Sequence, residues 1–187
     1  MDRTEAVQHF WQEFCSTNPG VDPQEPFQTW HFGDGPELAD ELCELVLRGI
    51  KTATAALVWE AEADPNTAPF MGGYSVVTDF AGTSRCVIRT SEIKIHPFDE
   101  VDAAFAFDEG EGDRSLDHWR QVHWDYFVKR CVELEKDADL KMPVICERFA
   151  LLYPKDSRED TVSALKTALR EREFSDSAFL LREDRSR

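Results

Sequence analysis

Arg48-Gly49-Ile50-Lys51-Thr52-Ala53-Thr54 stands where a helix hands over to a strand. Ahead of it, Leu38, Leu42, Leu45 and Val46 recur at helical spacing, which predicts a helix over 37–47 with one apolar face. Pro36 and Glu37 suit its first turn, with Asp34 or Gly35 as the cap. Arg48 followed by Gly49 is a helix stop. Behind the stretch, Ala55-Ala56-Leu57-Val58-Trp59 predicts a buried strand. A lysine and two threonine hydroxyls thus meet at a junction where backbone polar groups are partly free and side chains can be aimed into a cleft.

On either side, apolar spacing predicts an amphipathic helix over 4–14, with Asp2 and Glu5 at capping-box spacing, and a loop over 16–26. The aromatic segment 27–32 follows. A second loop, 60–73, holds Pro65, Pro69, Gly72 and Gly73. Residues 74–80 and 84–95 read as a hairpin joined at Ala81-Gly82-Thr83. A short helix is expected over 101–108, a Gly-rich acidic loop over 109–114, and the longest helix over 115–134, capped by Asp113 or Ser115. Residues 143–153 are apolar almost throughout and predict a central strand. Strands with inserted helices, rather than alternating βαβ units, point to an α+β barrel.

The chain has 187 residues and a net charge of −16. The eight basic and eight acidic residues of 154–187 cancel, so the body carries the whole excess. Such a surface repels polyanions, and no Lys/Arg cluster announces a nucleic-acid groove. A neutral nucleoside meets no such repulsion. DNA is not expected as a partner. Five scattered cysteines, with no C-x-x-C, predict reduced thiols in a cytoplasmic protein. No apolar run reaches the length of a membrane span. The tail predicts a thinly amphipathic helix over about 161–173, fit to dock on a partner, on a second copy or on the chain's own body.

Lys51 is the first chemical candidate. On position alone the commoner fate is a solvated surface lysine, but burial would lower its pKa and make it a base near neutral pH. Thr54 and Thr52 offer hydroxyls that need a neighbouring base to become nucleophiles. In a regular strand, residues three apart face opposite sides, so Lys51 and Thr54 share a cleft only if Lys51 lies in the turn ahead of the strand or a bulge intervenes. Glu109 and Glu111 are either an acid pair or a solvated acidic loop; Arg114 and Asp113 suit the next helix's start. Trp30, His31, Phe32, Trp59 and Tyr74 either line a site or pack in the core. His118 and His123 are five apart, the wrong spacing for two metal ligands on one helical face, and no metal or other cofactor is expected.

The spacing Gly49, Lys51, Thr54 resembles the Gly-x-Lys-x-x-Thr signature of the ASCH (activating signal cointegrator homology) domain. The surroundings extend the likeness. Trp30-His31-Phe32-Gly33 precedes the helix; 74–79, 86–90, 97–101 and Glu109 to Leu116 follow; and Cys146-Glu147-Arg148-Phe149 closes it. The resemblance covers about 5–153, as the longer, bacterial-looking form, and leaves 154–187 as a charged tail. Gly72-Gly73 departs from the family, where an Asp commonly follows the first Gly. It implies a PUA-like small β-barrel of mixed strands with flanking helices, related to modules that handle RNA.

From the short members that resemble amidohydrolases, the likeness implies a Lys51/Thr54/Glu109 site, with Glu111 in reserve for the Glu. Lys51 would activate Thr54 for attack on the acetyl group of an N4-acetylcytidine-type nucleoside, and Glu109 would manage the leaving amine. Thr52, Trp30, Phe32, Glu111, Arg114 and Tyr74 are the expected substrate contacts. A ribonuclease of single-stranded RNA and a non-catalytic RNA- or nucleotide-binding module are the alternatives. As a cleft residue contributing little to packing, Lys51 is expected to tolerate Lys51→Ala with the melting temperature nearly unchanged.

Overall fold

The computed structural model describes residues 5–154. The chain divides into two units, Met1–Pro154 and Lys155–Arg187. The expected cap at Asp2 and the expected tail helix lie outside the described residues.

Five strands form one mixed sheet in the order β1-β3-β4-β5-β2. β1 (Phe27–His31) runs parallel to β3 (Tyr74–Thr78). β3 and β4 (Ser84–Pro97) form the expected antiparallel hairpin, with a register shift at Val77/Thr78. Asp79 closes its turn by accepting from the Thr83 amide at 2.8 Å. β5 (Pro143–Tyr153) lies between β4 and β2 (Ala53–Leu57), antiparallel to both. The fold class is α+β: a curled half-barrel whose two edge strands, β1 and β2, line one cavity.

The centre of the sheet is covered on both faces, which explains why β3 is buried from Ser75 to Thr78. Side chains alternate across a strand. Val76 and Val87 point to α1 (Glu5–Thr17), where they join Trp11, Phe14 and Phe27. Val77, Cys86 and Ile88 point the other way, to Leu42, Cys43 and Val46 of α2 (Pro36–Leu47). A third cluster packs Ala53, Leu57, Val144 and Cys146 against α4 (Ala103–Glu109) and α5 (Leu116–Glu133) through Phe105, Trp119 and Phe127. Ser115 caps α5 by accepting from the His118 amide at 3.1 Å. All five cysteines are buried and unpaired. Among the described residues no helix is long and apolar enough to cross a membrane.

Two local readings need correction. The segment 55–59 is not all strand: β2 ends at Leu57, and Val58–Ala63 forms a short helix, α3, that spans the end of the expected strand and the start of the expected loop. The last β2 residue pairs with Val144, one step from the start of β5, so Val58 would face only Pro143, which has no N–H to give to a ladder. Glu60 then turns back and accepts from the Leu57 amide at 3.0 Å, which starts the helix. The second concerns Glu109, which ends α4 rather than opening a loop.

Candidate functional site

Lys51 owes its position to the way α2 stops. The amide of Gly49, whose φ is +68°, donates to Val46 O at 2.9 Å, and the amide of Ile50 donates to Leu45 O at 2.9 Å. This pair of bonds is a Schellman motif, with Gly49 at the left-handed position. The Lys51 amide adds a third bond, also to Leu45 O, at 3.1 Å. Lys51 therefore lies in the turn, two residues before β2, and strand parity does not constrain it. Thr52 fixes the turn from the other side. Its amide donates to Asp108 O at 2.8 Å, and its carbonyl accepts from the Phe149 amide at 2.9 Å.

The Asp108 bond ties the lysine turn to the last turn of α4, which carries the carboxylates. Gly110 takes the left-handed C-cap position there, with φ +77°. Lys51 Nζ donates to Glu109 Oε2 and to Glu111 Oε1, each at 2.6 Å. Lys51 and Glu109 are each 1% exposed. Trp119 Nε1 donates to the other Glu109 oxygen at 3.0 Å, and His123 Nε2 lies 3.4 Å from it. Glu109 is thus held from three sides. Among the described residues the third Lys51 N–H has only Glu109 O, at 3.5 Å, which is too long for a good bond.

These contacts reverse the expectation that Lys51 is a low-pKa base. Burial, the largest single influence, does pull its pKa down, but the charges and hydrogen bonds of Glu109 and Glu111 together outweigh it and leave the pKa raised. Lys51 is an ammonium at neutral pH. Burial pushes the Glu109 carboxyl up, and Lys51 and His123 more than cancel that, holding it well below its usual range. Lys51, Glu109 and Glu111 together carry one net negative charge.

A cavity of about 750 Å³ opens beside this triad. Lys51, Glu109, Glu111, Thr54, Trp30 and Phe32 all line it. Trp30 and Phe32 pack edge to face with ring centroids 4.7 Å apart, and the Lys51 ammonium lies 5.4 Å from the Phe32 centroid. Among the described residues the Thr54 hydroxyl makes no hydrogen bond, and none joins it to Lys51. Both edge strands, β1 and β2, which do not pair with each other, contribute to the lining of this cavity.

Three expected contacts stand elsewhere. The side chain of Thr52 is exposed on the α4 side, and its contribution is the backbone staple. Arg114 lies over the Phe107 ring and donates twice to Phe107 O, at 3.0 and 2.9 Å, so it closes its own loop. Tyr74 packs against Trp11 and Phe14 under the Arg89 guanidinium. Several lining groups were not expected, and two of them bear on the chemistry. His123 stacks on Trp119 at 4.3 Å; its spacing from His118 was read only for metal. Glu147 lines the opposite wall, and the signal for it is a lone carboxylate inside an apolar strand. No group of three His, Cys, Asp or Glu side chains among the described residues is placed to hold a metal ion.

A sequence model of the ASCH domain matches residues 28–153. The chain belongs to the ASCH-domain family. Lys51, Thr54, Glu109, Glu111 and Glu147 all fall within the match. The fold of this ASCH domain is similar to the crystal structure of an ASCH domain from Lactobacillus crispatus, with a TM-score of 0.74 and 26% identity over 82% of this chain and 98% of that one. It is also similar to the crystal structure of a protein from Enterococcus faecalis, with a TM-score of 0.71 and 28% identity over 81% and 92%. Among curated proteins, none matches.

The Glu109 site makes the stability of this ASCH domain acid-sensitive. A carboxyl held below its usual 4.5 contributes stability that is present above pH 4.5 and lost as pH falls through the folded-state pKa. Melting curves should therefore show a falling melting temperature below pH 4.5, and Glu109→Gln should flatten that dependence. An equally steep acid limb in the variant would assign the loss to other carboxylates.

Proposed function

We propose that this ASCH domain hydrolyses an amide bond in a modified nucleoside of the N4-acetylcytidine type, with Thr54 as the nucleophile. One observation carries the reading: Lys51, Glu109 and Glu111 converge from segments some sixty residues apart on a single cavity that also holds the open Thr54 hydroxyl. The cavity volume suits a small ligand. Trp30 and Phe32 offer aromatic surface to a base. The acidic body favours a neutral nucleoside over a long polyanion.

Lys51 serves here as a fixed positive charge. Its weakly bound third N–H is available to an acyl oxygen as negative charge develops on it. Glu109 and Glu111 keep the ammonium in place. Guanidinium keeps the charge but has a different shape, so Lys51→Arg separates a charge role, which it partly preserves, from a proton-transfer role, which it removes.

The test is to incubate the protein with acylated nucleosides, N4-acetylcytidine among them, and with single-stranded RNA. Acetate and cytidine should be released while the RNA stays intact. Thr54→Val should slow release by about 10³-fold or more, on the scale of losing a nucleophile. RNA cleavage with nucleosides untouched would make the protein a ribonuclease. Binding without turnover of either would make it a non-catalytic module.

A further inference from the structure

With Lys51 held as an ammonium and Glu109 held from three sides, neither is free to take the Thr54 proton. The sheet register supplies another group. Thr54 of β2 stands directly opposite Glu147 of β5. Directly paired residues project to the same face of an antiparallel sheet with Cβ atoms about 5 Å apart. Both side chains line the cavity. Glu147 is 6% exposed, and its Oε1 is anchored by the Thr90 hydroxyl at 2.6 Å. Among the described residues its Oε2 has no hydrogen-bond partner. A buried carboxylate with one oxygen fixed and one open, facing an open hydroxyl, is an incomplete pair.

We infer that Glu147 is the hydrogen-bond and proton acceptor of the Thr54 hydroxyl, an inference that rests on the hydrolase reading of this cavity. As Thr54 Oγ bonds to the acyl carbon, its proton passes to Glu147 Oε2. The C–N bond breaks, and Glu147 returns the proton to the leaving nitrogen. Water then gives one proton to Glu147 while its oxygen bonds to the acyl carbon. The Thr54–acyl bond breaks, and that proton restores the Thr54 hydroxyl. The products are the free amine and a carboxylic acid.

The surroundings leave Glu147 to titrate largely on its own. Burial, the larger influence, raises its pKa, and the Thr90 hydrogen bond opposes it. On β4, Glu92 and Lys94 pair with each other, and Glu92 also pairs with Arg148, which alternation puts on the opposite face of β5. Lys51, Glu109, Glu111 and His123 share the cavity without a hydrogen bond or ion pair to Glu147. A carboxylate made more basic by burial is better matched to a hydroxyl proton.

Two measurements test the pair. First, carboxyl NMR follows Glu147 with pH. A hydroxyl donating to the ionised form lowers its midpoint, so Thr54→Val should raise that midpoint by about half a unit or more. An unmoved midpoint overturns the inference whatever the protein hydrolyses. Second, acetylation of Thr54 by p-nitrophenyl acetate is followed by intact mass. Glu147→Gln, which keeps the Thr90 contact, should slow it about 100-fold and remove the acid limb of its pH profile, while Glu147→Asp recovers part of the rate. Normal acetylation in Glu147→Gln, or a slower rate with the acid limb retained, overturns the acceptor role and leaves the hydrolase reading standing. A shifted midpoint in a wild-type protein that is never acetylated supports the pair and removes Thr54 as a nucleophile.

Discussion

Lys51→Met is expected to destabilise the protein by about 3–5 kcal/mol, the cost of leaving a buried charge without its partner. At roughly 2–4 °C per kcal/mol for a domain of this size, the melting temperature should drop by about 6–20 °C. The cause is Glu109, 1% exposed and held ionised mainly by the ammonium 2.6 Å away. Without Lys51, desolvation governs Glu109 and raises its pKa above the unfolded value. The sign of its pH dependence then inverts. A carboxyl with a raised folded-state pKa costs stability as pH rises, so the variant should melt higher at pH 5 than at pH 7, a window in which the wild-type Glu109 contribution is already complete and flat. Neutralising the carboxylates as well, in Lys51→Met/Glu109→Gln/Glu111→Gln, should recover most of the loss. A Lys51→Met melting curve within 2 °C of wild type would mean that the buried triad does not form in solution. It would restore the expectation of a tolerant cleft lysine drawn from the sequence.

Gly110→Ala should be nearly as damaging through the backbone. A Cβ there would lie 2.7 Å from Ile50 O and 2.9 Å from Ile50 C, atoms of the turn that carries Lys51. Backbone cannot swing aside as a flexible side chain can. The left-handed conformation adds its own cost for any residue but glycine. Together these amount to about 2–5 kcal/mol, part conformational strain and part overpacking. Gly49→Ala is the control. Its φ of +68° is close to the +77° of Gly110, but a Cβ there meets nothing within 4 Å. It should cost about 1 kcal/mol, the conformational part alone. Chemical denaturation of the two variants isolates the clash. Equal losses would show that α4 and the lysine turn are not in close contact.

The regular elements were the legible part of the sequence. The hairpin, the long α5 and the last strand follow from apolar spacing and turn residues, and β5 covers 143–153 as expected. The end of β2 was not legible, because Val58 and Trp59 have strand propensity, and the ladder stops at Leu57 opposite Val144 and Glu60 caps a helix there. At the site, the Gly49–Lys51–Thr54 spacing located the lysine and its turn, and the acidic loop located its partners. The protonation state of Lys51 was misread because burial can be anticipated from a motif, whereas the opposing carboxylates arrive from a distant helix end. Arg114 and Tyr74 were drawn to the site by residue type and are claimed by nearer contacts, Phe107 and Trp11. Glu147 stood in plain view in Cys146-Glu147-Arg148-Phe149, but its place opposite Thr54 depends on strand register, which no single strand's sequence encodes.

The separations of 58 and 60 residues between Lys51 and its two carboxylates give the charge cluster a part in folding itself. In the unfolded chain all three groups are hydrated and cost nothing. If the sheet closed over the lysine turn before α4 docked, an ammonium would be stranded in a dry interior. If α4 docked in a shifted register, a carboxylate would be. Each near-miss carries a desolvation penalty that the correct arrangement alone relieves. The triad is thus suited to proofreading: its replacement as a whole by apolar groups would change the depth of the native state little, while its presence raises the energy of compact states that resemble it.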